Sequence, residues 1–214
     1  MWRGWREVTR HLSDGKSRDA KQDITGEDMM TTEVAETGLA ERAAELLKGL
    51  DKTHVGAAMS KLISASVGDM VVVLSRAPAY KFHTLADIEW LLLPAVLSGQ
   101  FYVAEMAHAE HGLRAPVGCV TWASVSDAVA ARLAEGSGPS TRLKPDDWTS
   151  GPHLWLIDAV GEPRVVAEAL AMLVETRFKE QPVRMVVRDA GGGMRVETVQ
   201  AVLAQRRDLQ EASL

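Results

Sequence analysis

The segment 147–158, Asp-Trp-Thr-Ser-Gly-Pro-His-Leu-Trp-Leu-Ile-Asp, constrains the fold more than any other part of the chain. Its first half, around Ser150-Gly151-Pro152, has the composition of a turn. Its second half, Leu154–Ile157, has the length and composition of a buried strand, and Asp158 is predicted to end that strand. A carboxylate in this place is costly unless it is paired or hydrogen-bonded, so Asp158 is either a structural cap or a site residue.

The composition excludes several classes of protein. The chain has 214 residues, 46% hydrophobic and 25% charged, as in ordinary globular proteins. Its net charge of −5 gives no basic footprint for nucleic acid. The single cysteine, Cys119, fits a reducing compartment, so a cytoplasmic location is expected. The apolar runs at 70–74 and 90–97 are too short to span a membrane, and the N-terminus lacks the apolar core of a secretory signal.

The pattern divides the chain into an N-terminal extension (1–53), a core domain (54–200) and a polar C-terminal tail (201–214). In the extension, residues 14–28 have too little apolar surface to order themselves, whereas 33–50 show apolar residues at helical spacing and predict an accessory helix. The core domain begins with a predicted helix over 55–74, and its β-branched end, Val71–Val73, suits a strand equally well.

The rest of the core domain is predicted to hold a sheet flanked by helices. Thr84 and Asp87 mark the start of a second, buried helix that Pro94 kinks or ends. Strands are predicted at 100–104, 117–123, 154–157 and 183–187, and a returning strand or the lead into a helix at 194–199. Helices are predicted at 126–133 and 165–178, and a glycine turn at 191–193. This order predicts an α+β domain, or an α/β sandwich, with a central and largely antiparallel sheet.

Histidines and Cys119 are the other candidates for chemistry. His83 lies just before the second helix, where its imidazole either faces a pocket or bonds a backbone carbonyl. His108 and His111 are three residues apart, but no cysteine or carboxylate pattern supports them, so no metal site is predicted. Cys119, in mid-strand, is predicted to pack as a small apolar residue.

Three motifs resemble those of the RTX toxin-activating lysine acyltransferases, the hemolysin-activating protein family. The first combines Pro78, Leu93-Pro94-Ala95 and Gln100-Phe101-Tyr102; the second is the run Pro116–Ala123; the third is Asp147–Gly151 with Trp155–Asp158. Their order and spacing match over residues 62–199. The resemblance implies a GNAT-like acyltransferase fold, and members that often pair, so a homodimer is expected. It also implies transfer of a fatty acyl group from acyl carrier protein, as a phosphopantetheine thioester, to internal lysines of an RTX-type protoxin, without a permanently bound cofactor.

The resemblance further implies a catalytic histidine and aspartate. The aspartate matches Asp158, whose interpretation thereby changes from structural to functional. The histidine position matches Tyr80 instead, and we expect His83 to reach the same site from the next helical turn. The alternative is a lost base, with Tyr80 only lining the pocket. A base is required because a lysine ammonium is a poor nucleophile, and an aspartate orients an imidazole and stabilises its cation. Alternatively, the histidine takes the acyl group itself, and the sequence is compatible with both routes.

Four residues are expected to contact substrate: Tyr80, Thr121, Trp122 and Trp155. The two tryptophans, with the apolar helix 88–97, either line an acyl-chain groove or are plain core. A backbone N–H near Thr121–Trp122 is the expected oxyanion donor. The chain departs from the family at 152–154 and 159–163, which suggests an altered acceptor or donor specificity, for example another secreted repeat protein as the acceptor. The competing hypothesis is a non-catalytic relative that binds carrier protein or a client as a scaffold.

Overall fold

The computed structural model describes residues 52–107, 112–136, 141–188 and 192–211. They fall into two compact units that divide within the first helix, with residues 52–64 in one and residues from 65 onward, including the sheet, in the other. The predictions for residues 1–51, and for His108 and His111, lie outside the described residues.

Helix α1 (Lys52–Arg76) includes Val71–Val73, so the strand alternative for this run is wrong. Met70, Val73 and Leu74 are buried at helical spacing, which explains why this run is helical. Over Thr53–Arg76 the helix is long and apolar enough to cross a membrane, with 17% of the apolar window buried. The apolar run at 70–74 considered in the sequence is much shorter, because isolated polar residues interrupt the apolar pattern of α1. A single helix of this kind is weak evidence for a membrane span, so we assign no membrane crossing to α1.

The predicted second helix is two short helices, α2 (Ile88–Leu91) and α3 (Leu93–Leu97). A 3-10 turn (Leu85–Asp87) leads into α2, and the Asp87 carboxylate accepts the Thr84 N–H at 2.7 Å, as the capping pattern predicted. Pro94 lies in the first turn of α3 and has no N–H to continue a helix, so the break falls at Leu92.

A five-stranded mixed sheet in the order β1-β2-β3-β4-β5 forms the centre. Its strands are β1 (Phe101–Ala107), β2 (Arg114–Val125), β3 (His153–Gly161), β4 (Arg184–Arg188) and β5 (Met194–Thr198). The later helices are α4 (Asp127–Ala134), α5 (Pro163–Thr176) and α6 (Val199–Glu211). Only β3 and β4 pair in parallel, and α5 connects them. The predicted α+β sandwich with a largely antiparallel sheet is confirmed, whereas the GNAT-like assignment stays a prediction.

Two apolar clusters cover the two faces of the sheet, because successive side chains of a strand point to opposite faces. The first packs β2, β3 and β4 against α5 and the start of α6. The second packs the other face against α3 and α4. The sequence analysis treats 201–214 as a polar tail, but α6 continues to Glu211 because Val202 and Leu203 pack on the first cluster.

A close approach of β2 and β3 requires glycine at position 161. Gly161 has φ of 138°, and a Cβ there would lie 2.6 Å from the Gly118 Cα. We expect Gly161→Ala to lower the free energy of unfolding by about 1–3 kcal/mol. Gly68→Ala in α1, where a Cβ meets open space, is the control and should stabilise by about 0.5–1 kcal/mol. Urea unfolding measures both, and an unchanged midpoint for Gly161→Ala would contradict the close packing.

Candidate active site

Asp158 lies inside β3, so the prediction that it ends the strand is wrong. The apolar run resumes at Ala159 and Val160, which are both buried. The register also changes here: Thr121 pairs with Asp158 but Trp122 pairs with Leu156, which leaves Ile157 as the extra residue of a β-bulge. Bulges change the direction of neighbouring side chains and occur often beside active sites.

The segment before β3 fixes the position of the strand. A 3-10 turn (Pro145–Thr149) buries Trp148 in the second cluster, and the Gln100 side chain donates to the Trp148 carbonyl at 2.9 Å. The Gly151 N–H donates to the Ser124 carbonyl at 3.1 Å, and a Cβ at Gly151 would lie 2.6 Å from the Ser126 Cα. The turn residues predicted from sequence therefore pack directly on the end of β2.

Two groups of the protein bind the buried Asp158 carboxylate. The Tyr80 hydroxyl donates to Oδ2, and the Ala159 N–H donates to Oδ1 at 2.9 Å. Tyr80 ends a 3-10 turn (Pro78–Tyr80) that follows α1, and it is only 5% exposed. The pair thus joins β3 to the segment after α1, and Tyr80 bonds the carboxylate instead of only lining a pocket.

Burial gives this pair unusual protonation properties. Burial raises the pKa of the Asp158 carboxyl to about 6, although the hydrogen bonds from Tyr80 and Ala159 lower it. Burial and the Asp158 charge raise the pKa of Tyr80 well above its usual value. The Tyr80 hydroxyl therefore keeps its proton, while the Asp158 carboxyl gains or loses a proton near pH 6. Burial also raises the pKa of the Cys119 thiol, so Cys119 packs as a small buried residue and is not a thiolate nucleophile.

His83 lies beside Tyr80 and is exposed. Its ring centroid is 5.1 Å from that of Tyr80 and 6.2 Å from that of Trp90. Among the described residues its imidazole has no hydrogen-bond partner, and the bonds to Asp158 come from Tyr80 and Ala159. The structure therefore brings His83 and Asp158 to the two sides of Tyr80 without a direct bond between them.

Asp87 is a neighbour of His83 that sequence reasoning assigned only to helix capping. Its carboxylate accepts hydrogen bonds from the Thr84 N–H at 2.7 Å and from Trp90 Nε1 at 2.9 Å. These bonds, the Thr84 bond first, lower the pKa of Asp87 to about 2, and the His83 charge makes a smaller contribution. Asp87 is thus ionised at neutral pH and places a negative charge beside His83.

Tyr80, His83 and Asp87 all line one pocket of about 380 Å³ between α1 and α2. The two predicted tryptophans do not line it. Trp122 is 3% exposed and packs edge-on against Phe178, and Trp155 is 2% exposed within the second cluster. Of the two interpretations of these tryptophans, the structure therefore favours plain core.

The predicted oxyanion donor is also occupied. The Trp122 N–H donates to the Gln100 carbonyl at 3.1 Å, and Thr121 is 3% exposed in the middle of the sheet. Neither group faces the pocket. Within the described part of the chain, no group of three or more metal-binding side chains lies together.

The Asp158 carboxyl should make stability depend on pH. Its pKa rises from 3.8 to about 6 on folding, so the folded protein holds this proton more tightly than the unfolded chain does. The resulting stabilisation is complete below pH 3.8 and is lost as pH rises through about 6, a change of about 3 kcal/mol. Urea unfolding of wild type and Asp158→Asn between about pH 4 and pH 7 measures it. Between these pH values, we expect the free energy of unfolding of wild type to fall by this amount relative to that of Asp158→Asn. A difference between the two proteins that does not change with pH would refute the pKa shift.

Comparison with known proteins identifies a family. A family model, HlyC, described as the RTX toxin acyltransferase family, matches residues 60–201. The matched range contains the whole sheet together with Tyr80, His83 and Asp158. Comparison with curated proteins finds no match.

Proposed function

Because this chain belongs to the RTX toxin acyltransferase family, we propose that it moves a fatty acyl group from acyl carrier protein to a lysine of its protein substrate. Acyl transfer and an RTX toxin substrate follow from family membership; the donor, the lysine and the residue roles are the proposal. One observation carries it. His83, Tyr80 and Asp158 contact one another in series, and the first two line a pocket whose remaining walls are mostly apolar, with Asp87 as the charged member.

The first requirement is removal of a proton from the lysine ammonium. In the proposal, His83 takes that proton, because its imidazole is exposed and has no hydrogen-bond partner among the described residues. The ionised Asp87 carboxylate stabilises the resulting imidazolium. The lysine nitrogen then bonds to the thioester carbonyl carbon and the carbon–sulfur bond breaks. The second nitrogen proton leaves with the sulfur, so the carrier protein departs as its free thiol.

Asp158 acts through Tyr80 in this scheme. Its carboxylate holds the Tyr80 hydroxyl, and the Tyr80 ring in turn lies against the imidazole. The contact fixes the position of His83. A negative charge on Asp158, in surroundings of low dielectric constant, also favours positive charge on the neighbouring imidazole.

The proposed reaction implies several partners. Acyl carrier protein brings its phosphopantetheine thioester, so no permanently bound cofactor is required. The acceptor is an RTX-type protoxin or a related secreted repeat protein, and a second copy of this chain is proposed as a dimer partner. The reaction is placed in the cytoplasm, where Cys119 remains a free thiol.

Transfer to lysine is tested with the full-length protein, acyl carrier protein loaded with a fatty acyl group, and the candidate acceptor. The acceptor mass should rise by one acyl group, and peptide mapping should place it on a lysine. Hydroxylamine should not remove it, because an amide resists conditions that cleave esters and thioesters. Acyl coenzyme A serves as the control donor. Equal rates from both donors would refute the carrier-protein assignment, and loss of the label to hydroxylamine would refute the lysine amide.

One observation favours a scaffold instead. The Tyr80 hydroxyl covers the Asp158 carboxylate, which is 7% exposed and out of reach of a substrate in this conformation. A non-catalytic relative that binds the carrier protein or a client needs no accessible carboxylate. It would bind acyl carrier protein, produce no mass gain on a folded acceptor at several chain lengths, and bind equally well after His83→Gln.

A further inference from the structure

We infer that the pocket between α1 and α2 holds the hydrocarbon chain of the acyl donor and limits its length. This inference rests on the proposed function. The pocket has a volume of about 380 Å³, which lies in the usual range for small-ligand sites. All its lining residues belong to the unit that contains the sheet, since they lie between Val71 and Leu92.

The walls of the pocket fit an uncharged, apolar ligand. Its lining combines two faces of α1 and α2 with the segment between them, and the apolar members are Val71, Leu74, Leu85, Ile88, Leu91 and Leu92. No lysine or arginine is among its described lining residues, and the ionised Asp87 carboxylate in its wall would repel an anionic group. The hydroxyls of Ser75 and Thr84 are already bonded, to the Val72 carbonyl and the Asp87 carboxylate.

The reactive groups line the same pocket. Tyr80 and His83 are part of its wall, and the His83 imidazole is unbonded within the described residues. A thioester whose chain lies along the apolar wall would therefore have its carbonyl beside His83. The proposed base and the chain site form one continuous surface, as acyl transfer requires.

Leu85 supplies a second, independent observation. It lines the pocket, yet it is 82% exposed. A large apolar side chain this exposed at the edge of an apolar pocket gains from being covered by a ligand. An acyl chain that extends past α2 would cover Leu85, so the apolar surfaces of the acyl chain and of Leu85 would both be removed from water.

Two variants test the pocket, each with a matched control. Val71→Phe fills the pocket from α1, because Val71 is half-buried and lines its wall. Val72→Phe is the control: it adds the same ring at the next residue, which does not line the pocket and is 37% exposed. Leu85→Ala removes the exposed edge. Leu97→Ala, at a site 67% exposed that does not line the pocket, is its control.

The probes are pantetheine amides with acyl groups from butanoyl to palmitoyl, which bind without reacting, and calorimetry with full-length protein measures affinity. Wild type should gain about fourfold in affinity per methylene until the pocket is full, and no more beyond that length. Val71→Phe should move this limit to a shorter chain and weaken the longest probe at least about tenfold. Leu85→Ala should weaken long probes only. Both controls should follow wild type.

Acyl transfer with the same chain series separates this inference from the proposed function. If wild type acylates lysine but Val71→Phe and Val72→Phe keep the same chain preference and affinity, the pocket assignment fails and the function stands. If the affinity series responds to Val71→Phe while no lysine is acylated, the pocket stands and the lysine acyltransferase fails. Affinity independent of chain length in wild type would overturn the inference outright, and melting temperatures of all variants exclude unfolding as the cause.

Discussion

Asp158→Asn is expected to make the protein more stable at neutral pH and at least about 100-fold slower in acyl transfer. Wild type keeps a carboxylate ionised in a buried place, and this costs up to about 3 kcal/mol above the raised pKa of about 6. The amide removes that cost, and its oxygen still accepts a bond from the Tyr80 hydroxyl. Its NH2 group cannot accept the Ala159 N–H, and the loss of that bond, about 1 kcal/mol, offsets part of the gain. The amide carries no negative charge to favour the His83 cation, so the rate falls.

The opposite signs of these two effects distinguish a functional Asp158 from a structural one. A structural carboxylate would lose stability and activity together. Asp127→Asn is the control. Asp127, at the start of α4, is 96% exposed and its carboxylate pairs with His153 at 2.6 Å. This variant should change neither the stability nor the rate of acyl transfer. The pH–rate profile of wild type should also contain one ionisation near pH 6, that of Asp158, which the profile of Asp158→Asn lacks. A variant that is less stable at neutral pH yet fully active would contradict the assigned role.

His83→Gln is expected to lower the rate of acyl transfer by about 10²–10⁴, the usual contribution of a general base. Its melting temperature should stay unchanged, because the side chain is exposed and has no hydrogen-bond partner among the described residues. Glutamine keeps a polar side chain of similar length but cannot accept a proton near neutral pH. Steady-state acylation of the acceptor, followed by mass, measures the effect.

The matched control is His153→Gln, which replaces a histidine outside the pocket lining. Tyr80→Phe separates the two possible bases. If His83→Gln retains full activity while Tyr80→Phe and Asp158→Asn both lose it, the proton passes through the Tyr80 hydroxyl to Asp158. The role given to His83 would then be wrong, although the site would be the same.

Turn chemistry and strand patterns predicted the sheet well because they act locally. Ser150-Gly151-Pro152 marked the turn before β3, and Gly151 does pack against Ser126. The β-bulge at Ile157 could not be predicted, because it depends on the register between β2 and β3. The apolar run therefore gave a strand that was too short, with Asp158 at its end instead of inside it.

The residues of the candidate site could be named from local motifs, but the contacts between them depend on the fold. The sequence placed His83, Tyr80 and Asp158 as candidates, but the bond between Tyr80 and Asp158 joins residues far apart in the chain, which only the fold brings together. Asp87 was visible only as a capping residue, although it also lines the pocket beside His83, whose charge contributes to its lowered pKa. Trp122 and Trp155 share their composition with groove residues and core residues alike, and burial, which the sequence does not give, decides between them.

Acylation of the acceptor by wild type and by His83→Gln/Asp158→Asn, followed by intact mass in parallel reactions, tests the central claim most directly. The account predicts a gain of one fatty acyl group with wild type, held on lysine, and no gain with the double variant, although both proteins fold. Equal gains with both proteins would show that acyl transfer does not take place at the His83–Tyr80–Asp158 site.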